Sequence, residues 1–246
     1  MKKSIRNCVQ IGDATLYHAN NKDIIPDIQE VTAVITDPPY SEVAHKNSRS
    51  NKYGTNSRHI TFDSLTNSDF LEYISIMLDK AQGWVVMTCD FRHAALIYDH
   101  PAFVRLGAWV KPNPMPQITG DRPGLGFETV VILHSGKVKK EWNRGGGAGV
   151  WTTPAITKAL VPSQKPIKLI SHFVDDFTNP DDLLLDPFMG AGTTGVVSIQ
   201  KGRRYIGIES NEKHFAIAVE QIRRANEQVS LLQYIKKEKG TLFNVP

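Results

Sequence analysis

The sequence predicts an α/β fold: a doubly wound, mostly parallel sheet with helices on both faces. Three observations carry this. Apolar runs of strand length recur along the chain, they are nearly continuous rather than alternating, and segments of helical periodicity lie between them. A strand covered on both faces has no solvent side, so its hydrophobicity lacks the every-second-residue interruption of a half-exposed sheet. Alternation of such runs with helices marks crossover connections between parallel strands.

The strand candidates are, in order, VTAVITD (31–37), GWVVMTCD (83–90), FVRLGAWV (103–110), ETVVILH (128–134), LLLD (183–186) and RYIGIE (204–209). Apolar residues at helical spacing fill DFLEYISIMLDKAQ, KPIKLISHFVDDF, TGVVSIQKG and HFAIAVEQIRRANEQVSLLQYIKK. Two segments fit the alternation poorly. Residues 41–61 are rich in Asn, Ser, Lys and Arg, and residues 136–164 combine a basic run, a glycine run and two tryptophans. Both read as long, positively charged loops.

At 246 residues, 41% hydrophobic and 22% charged, the chain fits one domain, 1–246, with no repeat and no linker. Nothing approaches the ~18 consecutive apolar residues of a membrane span, and no apolar core of a leader follows the basic start MKKSIRN, so a cytoplasmic protein without membrane contact is expected. Cys8 and Cys89 fall in no CxxC or Cys/His cluster, which argues for two free thiols and no metal site. A net charge of +4 permits a polyanionic partner without requiring one.

Four strand candidates end in an acid, Asp37, Asp90, Asp186 and Glu209, and Asp13 follows the shorter run VQIG. Ligands of open α/β sheets bind at the carboxyl ends of the strands, so these five acids are expected to rim one crevice. For Asp90 taken singly, a helix N-cap is an equal reading.

The stretch DLLLDPFMGAGTTGVVSIQKGRRYIGIE reads as strand, glycine turn, helix, strand. Gly190 and Gly192 let a ligand approach the backbone, the helix that follows offers unpaired N–H groups to an anionic group, and Glu209 closes the next strand where it can accept from ribose hydroxyls. A nucleoside-containing cofactor follows. By spacing alone GAGTTG also satisfies the GxGxxG of dinucleotide enzymes.

The preceding Pro-Phe pair narrows this, because DPFMGAGT resembles the S-adenosylmethionine loop of amino-group DNA methyltransferases, and DPPY at 37–40 resembles their catalytic tetrad. The resemblance implies a Rossmann-like methyltransferase sheet, S-adenosylmethionine as cofactor and DNA as partner. Its cofactor residues would be Asp13, Lys165, Asp186, Phe188, Gly190, Gly192, Thr193 and Glu209. The chemistry of DPPY can be stated physically. An exocyclic amine is a poor nucleophile because its lone pair is delocalised into the ring. Asp37 accepting one N–H and the Pro38 carbonyl the other would pull that nitrogen toward tetrahedral geometry. Pro38 and Pro39 stiffen the loop, and Tyr40 offers a stacking face worth about 1–3 kcal/mol to a base extruded from the duplex.

Further segments extend the likeness. WVKPNPMP (109–116), FETVVILHSGK and SQKPIKLISHFV are similar to family segments, although the expected His-Pro start of the last reads Val161-Pro162. DPPY precedes the glycine turn by about 150 positions, an order that resembles the beta class. This implies a catalytic half (1–136), a small target-recognition insertion (137–163) and a cofactor half (164–246). The expected DNA contacts are Lys46, Arg49, Lys52, Arg58, Lys111, Asn113, Arg144 and Trp151, and a homodimer is expected by analogy. Asp at the first position of the tetrad favours adenine N6 over cytosine N4. A non-catalytic nucleic-acid-binding module on the same fold is the reading from a different class.

Overall fold

The computed structural model describes residues 5–42, 64–117 and 120–242, with side chains through 235. The chain forms β1 (Asn7–Ile11), β2 (Ala14–His18), α1 (Asn21–Ile24), β3 (Ala33–Thr36), α2 (Asn67–Lys80), β4 (Trp84–Cys89), α3 (Phe91–Ile97), β5 (Phe103–Val110) and β6 (Phe127–His134). It continues through β7 (Val150–Thr152), α4 (Ile167–Phe177), β8 (Leu183–Asp186), α5 (Thr193–Gln200), β9 (Arg204–Glu209) and the long α6 (Glu212–Leu242). Lys46, Arg49, Lys52 and Arg58 lie outside the described residues.

The strands make one mixed, mostly parallel sheet in the order β1-β2-β9-β8-β3-β4-β6-β5-β7. Among the described strands, seven share one direction; β1 and β6 run against them. Two apolar layers cover the sheet, as the unbroken runs require. Ala33 and Ile35 of β3, Trp84 and Val86 of β4, and Leu184 of β8 point toward α4, α5 and α6. Their neighbours Val34, Val85, Met87 and Leu185 point the other way, toward α1, α2 and α3. This is the period-two alternation of a strand, invisible in hydropathy because both sides are dry.

Helix starts follow the local chemistry. Thr66 caps α2 by accepting from the Asp69 N–H, and Asp90 caps α3 by accepting from Arg92 and His93. Part of the expected recognition insertion belongs to the sheet: β7 pairs with β5, placing Trp109 beside Trp151. Gly107 makes room for it, since a Cβ there would lie 2.7 Å from both the Gly149 carbonyl and the Trp151 ring.

The reversed strands have consequences for what reaches the carboxyl edge. Gly12, at φ +52°, turns β1 back into β2, so Asp13 sits at the amino end of β2, where its carbonyl accepts from the Tyr205 N–H. Because β6 is antiparallel, its first residues Phe127 and Glu128 lie beside Val110 and Trp109, at the carboxyl end of β5.

Candidate active site

Where β3 and β8 run side by side, the chain connects outward in opposite directions, to β4 on one flank and β9 on the other. That is the position at which an open α/β sheet leaves a crevice. A cavity of about 1240 Å³ opens there, lined by Asp37, Pro38 and Tyr40 from one half and by Phe188, Gly190 and Glu209 from the other. Thr36 donates to Asp186 across the seam at 2.6 Å, tying the two halves together. Burial pushes the Asp186 carboxyl up to about 6, opposed by Thr36, Thr194 and the Phe188 N–H.

Asp37 follows β3 directly, and its side chain is 26% exposed where it lines the cavity. One carboxylate oxygen accepts from the Thr88 hydroxyl of β4, and the other from Lys165 Nζ at 2.6 Å. Lys165 also lies 3.5 Å from Glu128, whose other oxygen accepts from Lys111 Nζ at 2.5 Å. The Tyr40 hydroxyl donates to Glu128 at 2.6 Å, which fixes the ring, and the Lys165 ammonium lies over that ring at 5.2 Å. The cluster is therefore two carboxylates and two ammonium groups, bridged by a phenol. Burial raises the Asp37 carboxyl and Glu128 adds to the rise, while Lys165 opposes both. Burial works in the same sense on Glu128, but Lys165 and Lys111 outweigh it and hold that carboxyl at about 2.

The glycine turn is built as its sequence requires. Gly190 and Gly192 adopt φ +54° and +81°, the left-handed region in which a side chain is strained. A Cβ on Gly190 would meet nothing within 4 Å, whereas one on Gly192 would press on Ala218 of α6 at 3.0 Å. Gly195, the last glycine of the run, lets α5 pack against Ile222, 2.5 Å from where its Cβ would stand. Glu209 accepts the Gly190 N–H at 2.9 Å and the Asn211 N–H at 2.7 Å, and burial raises its carboxyl. A carboxylate has about four lone-pair sites, so capacity remains for hydroxyl donors. Thr193 opens α5 and Phe188 packs edge-on against Tyr73.

Several expected site residues stand elsewhere. Asp13 is absent from the cavity lining, for the strand-direction reason given above. Asp90 lines the cavity but also caps α3 and accepts the Ser41 N–H at 2.7 Å, bracing the end of the DPPY loop. Lys165, expected at the cofactor, bonds to Asp37. Lys111 is committed to Glu128 and covers the Trp109 ring at 4.6 Å. Asn113 uses both ends of its amide on the backbone of Ala155, at 2.7 and 3.1 Å.

Trp151 corrects the expectation of a base-reading side chain. It is 2% exposed, packs on Phe173 and Phe177, and its Nε1 donates to Asp176 at 2.7 Å. Arg144 approaches the same carboxylate at 3.5 Å and lies over Trp142. The sequence reading also passed over Glu128 and Asn21. Asn21 joins the halves by donating to the Pro187 carbonyl at 3.0 Å while accepting from the Tyr73 hydroxyl at 2.6 Å. A polar Glu directly before the apolar run TVVIL was a usable signal for Glu128; its strand's direction was not. Among the described residues no His/Cys/Asp/Glu cluster could hold a metal, and no helix is long and apolar enough to cross a membrane.

A doubly wound sheet with an acid-proline turn and a glycine turn on one cavity defines a Rossmann-like methyltransferase fold. The chain belongs to the N6/N4 DNA methylase family, whose model, described as DNA methylase, matches residues 31–220. It is 34% identical over 135 residues to type II methyltransferase M.Cfr9I of Citrobacter freundii, covering 49% of this chain and 44% of that protein. It is 24% identical over 253 residues to type II methyltransferase M2.MboI of Moraxella bovis, covering 91% and 92% respectively. The chain spans about half the length of the first two curated relatives it matches. Among solved structures, the M1.HpyAVI–SAM complex superposes with a TM-score of 0.65 at 29% identity, covering 85% of this chain and 99% of that one.

Proposed function

We propose that this protein methylates the N6 amine of adenine in DNA, using S-adenosylmethionine. The observation that carries the reading is the convergence of Asp37-Pro38-Pro39-Tyr40 and the Gly190–Glu209 turn on one cavity. A volume of about 1240 Å³ exceeds the roughly 300–1,000 Å³ of single-ligand sites, which suits a cofactor and a flipped base together. The residues fit the cofactor: open backbone at Gly190, a half-buried acid at the end of β9 for ribose hydroxyls, and the start of α5. S-adenosylmethionine supplies the electrophilic methyl group.

The chain's own residues do the rest. Asp37 and the Pro38 carbonyl accept the two amine N–H groups and direct the lone pair into the cavity. Positive charge then develops on the amine nitrogen, and the ionised Asp37 stabilises it; a charge-assisted hydrogen bond of this kind is worth roughly 1.5–3 kcal/mol. After transfer the surplus amine proton passes to the Asp37 carboxylate that accepts it and from there to solvent. Tyr40, its hydroxyl anchored on Glu128, presents a ring already fixed in orientation, so little freedom is lost when a base stacks on it.

Adenine is preferred because an Asp heads the tetrad. The family spans both exocyclic amines, so cytosine N4 is the second reading, with the same geometry of attack. The test supplies labelled S-adenosylmethionine with unmethylated DNA and identifies the modified nucleoside. Label in N6-methyladenine is expected, and label confined to N4-methylcytosine would overturn the base assignment. Asp37→Asn should retain cofactor binding and lose transfer by at least about 10²-fold. If that variant bound cofactor no better than an unfolded chain, the division of roles would be wrong.

A further inference from the structure

Lys165 is the buried cation of the site, with a side chain 6% exposed. It reaches Asp37 from the segment before α4. Its ammonium is 2.6 Å from the Asp37 carboxylate, 3.5 Å from Glu128 and 3.3 Å from the Ser163 carbonyl. All three partners are acceptors. Burial by itself lowers the pKa of such an ammonium; here Asp37 and Glu128 overcome that effect and raise it. A carboxylate facing a methyl-transfer cavity has the mirror problem, since it must stay ionised where water is scarce. A protonated Asp37 would offer its O–H to the amine nitrogen and occupy the lone pair that has to attack.

Resting on the methyl-transfer reading above, we propose that Lys165 is a positioning residue for the transfer: it keeps Asp37 ionised and aimed at the cavity. Lys165 acts through Asp37 and not through the cofactor. The charged and titratable groups around Asp37 come from every element packed against it. Among the described residues they are Lys165 before α4, Glu128 from β6 with Lys111 from the end of β5 behind it, Tyr40 from the same loop, Cys89 from β4 and Asp186 from β8. Of these, Lys165 is the cation in direct contact with Asp37, so its removal changes the sign of the local field.

The geometry demands opposite responses from the two partners. Lys165→Met removes the charge that favours ionised Asp37, so the acid limb of the pH–kcat profile moves up by about one to three pH units. On the acid side of the limb, activity then falls about tenfold for each pH unit that the limb has moved and recovers as the pH rises, while cofactor KM stays within about twofold. Lys165→Arg keeps the charge and returns the limb toward its wild-type position. Glu128→Gln removes a negative neighbour of Asp37 and moves the limb down.

The experiment measures these profiles with labelled S-adenosylmethionine and duplex DNA on the whole chain, beside the wild type. An unmoved limb in Lys165→Met, or a raised cofactor KM with no movement of the limb, would overturn the assignment. Should Lys165→Met fail to fold, Lys165→Gln, neutral but still able to donate to Asp37, takes its place: a limb that does not rise is the refuting result. Wild-type enzyme that methylates DNA while both variants keep its profile sinks the Lys165 inference alone. Wild-type enzyme that transfers no methyl group to DNA sinks the methyl-transfer reading and this inference with it.

Discussion

Trp151→Phe separates a structural tryptophan from a DNA-reading one. The substitution keeps an aromatic ring against Phe173 and Phe177 but deletes the Nε1–H that donates to Asp176 at 2.7 Å. A hydrogen bond to a buried charged group is worth about 1.5–3 kcal/mol. The smaller ring gives up roughly 40 Å² of buried apolar surface, which adds about 1 kcal/mol. Arg144, 3.5 Å from the same carboxylate, can close in and sets the lower end of the range. The sum is about 2.5–4 kcal/mol, which for a chain of this size lowers Tm by roughly 5–15 °C. Thermal melts followed by circular dichroism read that shift. DNA affinity, measured well below the melting range, should stay within about threefold of wild type. A variant that melts with the wild type yet loses tenfold or more in DNA affinity would refute the assignment of Trp151 to the core.

Two further outcomes follow from strand direction and from the charge cluster. Asp13→Ala should leave the dissociation constant for S-adenosylmethionine within about twofold, while Glu209→Ala weakens it tenfold or more, a loss of about 1.4 kcal/mol or greater; calorimetric titration compares them, and equal losses would contradict the placement of Asp13 at the amino edge. Glu128 has a folded-state pKa of about 2 against 4.5 for the free side chain, so its contribution is fully present above about pH 4.5 and is lost as the pH falls toward 2. At about 1.4 kcal/mol per unit of pKa that contribution is about 3.5 kcal/mol. The stability gap between wild type and Glu128→Gln, from urea unfolding at pH 7 down to about 3.5, should therefore narrow with acidification. A gap that is constant or widens would show that Lys111 and Lys165 do not hold Glu128 ionised.

Much of this site was legible in one dimension because its two main turns are local objects. Asp37, Pro38, Pro39 and Tyr40 are consecutive, and Gly190, Gly192 and Thr193 fall within one turn whose positive φ angles only glycine adopts without strain. The six predicted strands are all present, since burial on both faces leaves its signature in composition. The misplacement of Asp13 and the oversight of Glu128 share one cause. Hydropathy reports that a run is a buried strand but not which way it points, and two strands of this sheet point backward. Reversal of β1 carried Asp13 away from the crevice; reversal of β6 carried Glu128 into it.

By itself, then, the sequence determined the α/β class, the acid-proline turn, the glycine turn and Glu209 as an acid closing the next strand, because each is specified by residues adjacent in the chain or by a composition that any packed sheet demands. Tertiary structure decided the charge pairing. Lys165 and Asp37 are 128 positions apart, and Glu128 and Tyr40 are 88 apart. No local propensity encodes such meetings; they exist because a mostly parallel sheet, with β6 reversed, brings Asp37, Lys111 and Glu128 to a single edge beside the segment that carries Lys165, where burial makes each charge depend on its neighbours.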